Sequence, residues 1–242
     1  MTKRFGFDAK LERADQHIVD FKKAEEVFLK KNPYAVIEYC ELHSRDYVME
    51  YRVFEECPDY IIAIIGDAIH NLRAALDHLT YKLEVVHGHT PDKNTQFIVY
   101  KNEAAFISQR HDREVRYGTR FADLIDETKP YLGGDEFLAA LTLLDNIDKH
   151  RLLITTVAST TGVGTFGKDL AVRDTILRLP KFGKVRTGEE FYRRSGGEAD
   201  VQVRVAFSIA FGEVREDFRA SFTLSRLRRT VASVLDRFRP LL

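Results

Sequence analysis

Apolar residues recur every three or four positions at Leu11, Ala14, Ile18, Phe21, Ala24 and Phe28, and Asn32-Pro33 follows them. That spacing lays one apolar stripe along a helix that a proline then stops, so a helix is predicted over 8–31. The period next shortens to two. YAVIEYCEL and YVMEYRVFE alternate on either side of HSRD, the pattern of a β-hairpin. Pro58-Asp59 closes the hairpin and opens a long helix over about 59–86. HGHTPDKN reads as a loop and TQFIVY as a short extended piece. Residues 102–128 are charged with helical spacing and break at Tyr117-Gly118 into two short helices. KPYLGGDE is a turn whose Asp135 can cap a helix over 135–151. The texture then changes. LLITTVAST, DTILRLP and DVQVRVAFSIAF are β-branched and alternating, with glycine-rich turns TGVGTFG and SGGEAD between them. A last helix covers about 223–239.

Long antiparallel helices, an early hairpin, a C-terminal antiparallel sheet and a final helix make an α+β fold. No stretch reads as a linker, so the chain is taken as one domain over 1–242. Its natural sub-division is a mainly helical 1–155 and a 156–242 of sheet plus final helix.

Composition narrows the function classes. With 242 residues, 44% of them hydrophobic, the chain can bury a substantial core and is not a disordered one. Its 37 basic side chains match 37 acidic ones, so no global field draws in nucleic acid or membrane. A local patch remains open: residues 181–242 hold thirteen Lys/Arg against eight Asp/Glu. Arg226, Arg228, Arg229, Arg237 and Arg239 crowd the last helix; a solvated face is the plainer reading, an RNA-contacting face the alternative. Cys40 and Cys57 form no CxxC pair, which argues against a zinc knuckle and suits a reducing cytosol. The N-terminus lacks the apolar core of a signal peptide, and the run IIAII is too short to span a bilayer. A cytoplasmic protein with no membrane partner is expected.

The long helix carries the chemistry. On a wheel of about 100° per residue, Ile65, Ala68, Ile69, Leu72, Ala75, Leu76, Leu79 and Leu83 fill one side. The other gathers Asp67, His70, Asn71, Asp77, His78 and Tyr81, with Arg73 and Thr80 at an edge. A wet helix face favours Lys and Glu, which form helices well and stay hydrated; here Lys82 is the one such residue. The face is therefore expected out of bulk water, either as a buried polar network or as the lining of a cleft. A second polar helix, LLDNIDKHRLLI, offers Asp145, Asp148 and Lys149 on one side, and Asp148 and Lys149 are expected to pair with groups on the first helix such as Arg73 or Asp77.

GDAIHNLRAALDHL at 66–79, Gln96-Phe97, Pro130-Tyr131 and IDKHR at 147–151 together resemble a family of bacterial proteins with GDxxHNLRxxLDHL and IDKHR motifs, over roughly 60–155. That resemblance brings kinship without an activity. RAALDH, Arg73 to His78, more weakly resembles the Arg-x4-His signature of HEPN domains. Those are all-α modules, usually dimeric, that include metal-independent ribonucleases. The resemblance implies His78 as general acid or base on a ribose hydroxyl and Arg73 on the scissile phosphate, with Asp77 or Asn71 orienting the imidazole. Side chains five apart on a helix diverge by about 140°, so one phosphate would reach both more easily across a dimer axis.

Three readings follow. The first is that ribonuclease or a nucleotide-processing protein, free of cofactors, with RNA and a second copy as partners. The second is a non-catalytic regulatory or interaction protein whose polar face is structural. The third is a metalloprotein holding a divalent ion through Asp67 and His70, an i, i+3 pair, with Asp145 and Asp148 from the other helix. His70 and His78 stand about 12 Å apart along the axis at ~1.5 Å per residue, too far to share one ion.

Overall fold

Helix α1 (Gly6–Leu29) precedes a hairpin of β1 (Tyr34–Cys40) and β2 (Tyr47–Val53), and α2 (Asp59–Val86) follows. A computed structural model describes residues 4–150, 155–166, 175–177, 185–195, 201–212 and 219–242, the side chains of 155–166, 175–177 and 201–206 excepted. The remaining elements are α3 (Glu103–Ser108), α4 (Arg110–Tyr117), α5 (Thr119–Glu127), α6 (Glu136–Asp148), β3 (Thr155–Phe166), β4 (Thr175–Leu177), β5 (Glu190–Arg194), β6 (Val201–Phe211) and α7 (Ala220–Phe238). The fold is α+β. Among the described residues no helix is long and apolar enough to cross a membrane.

The chain divides into two compact units of interleaved segments: Met1–Phe21, Ala63–Leu153 and Phe222–Leu242 form one, Lys22–Ile62 and Ile154–Ser221 the other. In the first, all eight apolar positions of the α2 stripe are buried, together with Leu138, Leu141 and Leu144 of α6 and Leu224, Leu227, Val231 and Leu235 of α7. Burying a leucine-sized side chain contributes about 1.5–3 kcal/mol, so this packing, not intrinsic propensity, fixes α2. Asp135 caps α6 by accepting from Phe137 N and Leu138 N, each at 2.9 Å. The charged stretch forms three helices rather than two. Asn102 caps α3 through Ala105 N at 2.8 Å, Gln109 is the junction to α4, and Gly118, at φ +81°, turns the chain from α4 into α5. Helix α6 stops at Asp148, with Lys149 as its C-cap; Arg151 of the IDKHR motif lies outside the described residues, as do most of SGGEAD and the end of DTILRLP.

In the second unit the hairpin does not stand alone. Strands β5 and β4 extend it into one antiparallel sheet, in the order β1-β2-β5-β4. Four consecutive residues of β2, Val48 to Tyr51, are buried, as suits a strand paired on both edges. An aromatic cluster fills this unit: Tyr51 stacks on Phe191 at 4.5 Å between centroids, and Phe207 meets both Tyr34 (5.6 Å) and Tyr51 (6.2 Å). The expected glycine-rich turn TGVGTFG is mostly strand. β3 runs through it to Phe166 and pairs with β6, with a register shift between Ser159 and Gly162. Glycine marks a bulge here instead of a turn, because a ladder of ten paired positions overrides local turn chemistry. TQFIVY joins no ladder beyond one bridge, Tyr100 to Tyr131.

Candidate functional site

The polar side of α2 separates into three parts, all within the first unit. The innermost centres on Arg73, which is only 6% exposed. Its guanidinium donates to the Phe97 carbonyl, to Thr142 Oγ1 of α6 at 3.1 Å, and pairs with Asp77 at 3.2 Å. Asp77 in turn accepts from the Phe97 amide at 2.9 Å. One ion pair on α2 thus grips both polar groups of a single peptide residue. A buried backbone without a ladder needs such partners, which explains how Gln96-Phe97 stays extended against the helix. Helical spacing makes Arg73 and Asp77, four apart, neighbours on this surface.

The second part lies where α2 meets α6. Asp145, 2% exposed, sits 3.2 Å from His70 Nδ1 and accepts from Lys149 at 2.6 Å. Asp148 rests against Gly66 so closely that a Cβ there would lie 2.6 Å from its Oδ2. Burial, then the charges of Asp145 and Asp67, push the Asp148 carboxyl upward. The structure therefore brings Asp67, His70, Asp145 and Asp148 into one neighbourhood. Among the described residues, however, no group of three His, Cys, Asp or Glu is arranged to hold a metal ion. Lys149 pairs within its own helix, and Arg73 with Thr142 and Asp77, so the cross-helix ion pairs expected for Asp148 and Lys149 do not form.

The third part faces solvent. His78 and Tyr81 are exposed, as are Asp67 and His70. The expectation that the whole face lies out of bulk water is corrected: it holds for Arg73 and fails for these four. His78 lines a pocket of about 470 Å³ with Asp77, Tyr81, Lys82, Thr95 and the N-terminal Phe5, Gly6 and Phe7. Phe5 and Phe7 stack at 4.9 Å. A Cβ on Gly6 would fall 2.8 Å from His78 Nδ1. Neither expected orienting group is bonded to the imidazole: Asn71 donates back to the Asp67 carbonyl at 2.8 Å, and Asp77 holds Phe97.

The arginines of α7, and Arg239 just after it, are largely neutralised. Asp15 takes Arg228 with two bonds of 2.8 Å, Asp8 takes Arg239 at 2.7 Å and Glu127 takes Arg237 at 2.6 Å. Arg226 lies over the Phe137 ring, 4.9 Å from its centroid. Arg229 alone of the five has no partner among the described residues. The residues that sequence reasoning missed are Phe5 and Phe7, Thr142, and the Phe97 backbone. Only the last left a signal, the Gln96-Phe97 pair in the motif set. No family model matches the chain, and no curated protein or solved structure matches it.

Proposed function

We propose that the protein is a non-catalytic binding module, with α2 as its framework and the His78 pocket as its recognition surface. The observation that carries this reading is the commitment of Arg73. Its donors already serve Phe97, Thr142 and Asp77 in a buried setting. A phosphate could claim it only by dismantling that ion pair and leaving Asp77 and the Phe97 carbonyl unpaired. The pocket itself offers an aromatic wall of Phe5, Phe7 and Tyr81, with Lys82 at the edge. Lys82 has no ion-pair partner among the described residues. Flat surfaces beside one free cation suit a planar anionic guest, and a mononucleotide is the natural class.

One observation favours a second reading. His78 is exposed, unbonded to any described residue and beside a lysine, the setting of a general acid or base. A metal-independent ribonuclease built on it would need its phosphate-binding arginine from elsewhere, such as a second copy of the chain. Titration calorimetry with AMP, run beside cleavage of a labelled mixed-sequence RNA in excess EDTA, separates the two. AMP binding that weakens about tenfold or more in Lys82→Ala, with no cleavage, supports the binding module. RNA cleavage by the wild type that His78→Ala abolishes would replace it with the ribonuclease. Neither binding nor cleavage would sink both.

A further inference from the structure

A second cavity, of about 210 Å³, is lined by one face of α4, by Gln96, Phe97, Ile98 and Tyr100, and by Thr80 and Ile125. We propose that it is a binding site for a small zwitterion, an α-amino acid with an apolar side chain.

The argument starts from the sequence of α4, RHDREVRY. Helical spacing puts Gln109, Asp112, Arg113, Arg116 and Tyr117 on one face. So polar a face belongs in water, yet Arg113 is 4% exposed and Tyr117 6%. Arg113 donates to the Phe106 carbonyl at 2.7 Å and to Asp126 at 2.9 Å, and its guanidinium lies 3.8 Å from the centroid of the Phe106 ring. These contacts hold it rigidly at the cavity. Its Nε–H, however, is buried with no partner among the described residues. A buried donor left unmade is costly, and native proteins keep few such groups without a use for them. The Tyr117 hydroxyl is pushed up to about 12 by burial, so it stays a neutral donor, and it too bonds to no described residue. The buried, unpartnered Nε–H and, one turn on, a hydroxyl free to donate suit the two oxygens of a carboxylate.

Charge decides against a simple organic acid. Asp126 already balances Arg113, and Glu84, 1% exposed, lies 2.6 Å from Arg116 Nε, a close ion pair whose N–H does not align as a hydrogen bond. A bare anion would therefore gain little from net charge. Asp112, by contrast, lines the same cavity, is exposed, and has no partner among the described residues. It is free to take a cation. A ligand with both charges meets both demands, and Phe97, Ile98 and Ile125 supply an apolar wall for its side chain.

The test uses the full chain, labelled with ¹³C and ¹⁵N, and follows the Arg113 Nε–H signal, assigned through its connectivity along the Arg113 side chain. L-leucine and L-phenylalanine are the probes. 4-Methylpentanoate, which lacks the ammonium, and 3-methylbutylamine, which lacks the carboxylate, are the controls. A saturable shift with at least one amino acid, at a Kd of about 1 mM or tighter, is expected, with both controls at least tenfold weaker. Arg113 also holds Phe106 and Asp126, so its loss can unfold the region. Tyr117→Phe and Asp112→Asn, which keep shape, carry the proposal instead, and each should weaken binding about tenfold. No shift with either amino acid overturns it. Equal binding of 4-methylpentanoate, or amino-acid binding untouched by both variants, overturns it equally.

Discussion

Arg73 and His78 satisfy one motif, lie five residues apart on one helix, and live in opposite worlds. Arg73 is 6% exposed and bound on three sides, whereas His78 is exposed and bound to no described residue. The difference does not come from α2. It comes from what the chain lays on each side of it: the Phe97 backbone and Thr142 on Arg73, and only the edge of a pocket on His78. A motif fixes angular positions on a helix; burial assigns the roles.

The strongest way to break this comparison is Arg73→Ala. If Arg73 is framework, the variant loses a buried ion pair and orphans the Phe97 carbonyl, and stability should fall by about 3 kcal/mol or more. Arg73→Lys should recover only part of that, because a point charge cannot reach Phe97, Thr142 and Asp77 at once. Urea unfolding measures both. A loss within about 0.5 kcal/mol would show that Arg73 is not structural.

Next in size is the contact at Gly66. Alanine in a helix interior is favoured over glycine by ~1 kcal/mol, yet here a Cβ would meet the Asp148 carboxylate 2.6 Å from Oδ2. Gly66→Ala alone should therefore be destabilising by about 1 kcal/mol, and should become stabilising in an Asp148→Ala background. The double-mutant cycle reads the coupling directly. Additive effects would mean that α2 and α6 do not touch there.

These two sites also mark what the sequence could say. The ends of α2 and its apolar stripe are legible because eight positions repeat at helical spacing and Pro58 precedes them. The break at Gly118 is legible because a positive φ selects glycine. The clamp on Phe97 is not, since it joins residues 24 apart through backbone atoms that carry no residue identity. Nor is the pairing of β2 with β5, which closes across more than 130 residues, while TGVGTFG misleads because glycine serves a bulge as readily as a turn. The site was half legible for the same reason. The polar face could be drawn from the sequence, but its division into framework, junction and pocket depends on distant segments.

A smaller effect tests the junction. Burial, with Asp145 and Asp67 behind it, raises the Asp148 carboxyl above its ordinary value of 3.8. The folded protein then binds more protons than the unfolded one in the window just above that value, so the contribution of Asp148 is most favourable at low pH and is lost as pH rises through its folded pKa. Asp148→Asn should raise Tm by ~2 °C at pH 7 and by nothing at about pH 3, where the carboxyl is protonated in both states. A gain that persists at low pH would point to packing instead of charge.

The smallest effect belongs to the other half of the opening contrast. His78 makes no hydrogen bond to a described residue, and its ring meets solvent, so His78→Ala should change stability by no more than about 0.5 kcal/mol. Measured beside Arg73→Ala in the same urea titration, it sets the scale of the contrast between two residues of one motif. A small change in stability accompanied by loss of AMP binding would assign His78 to recognition and Arg73 to architecture. A change as large as that of Arg73→Ala would mean that Phe5 and Phe7 lean on the imidazole as Phe97 leans on the guanidinium, and the pocket would then be part of the framework.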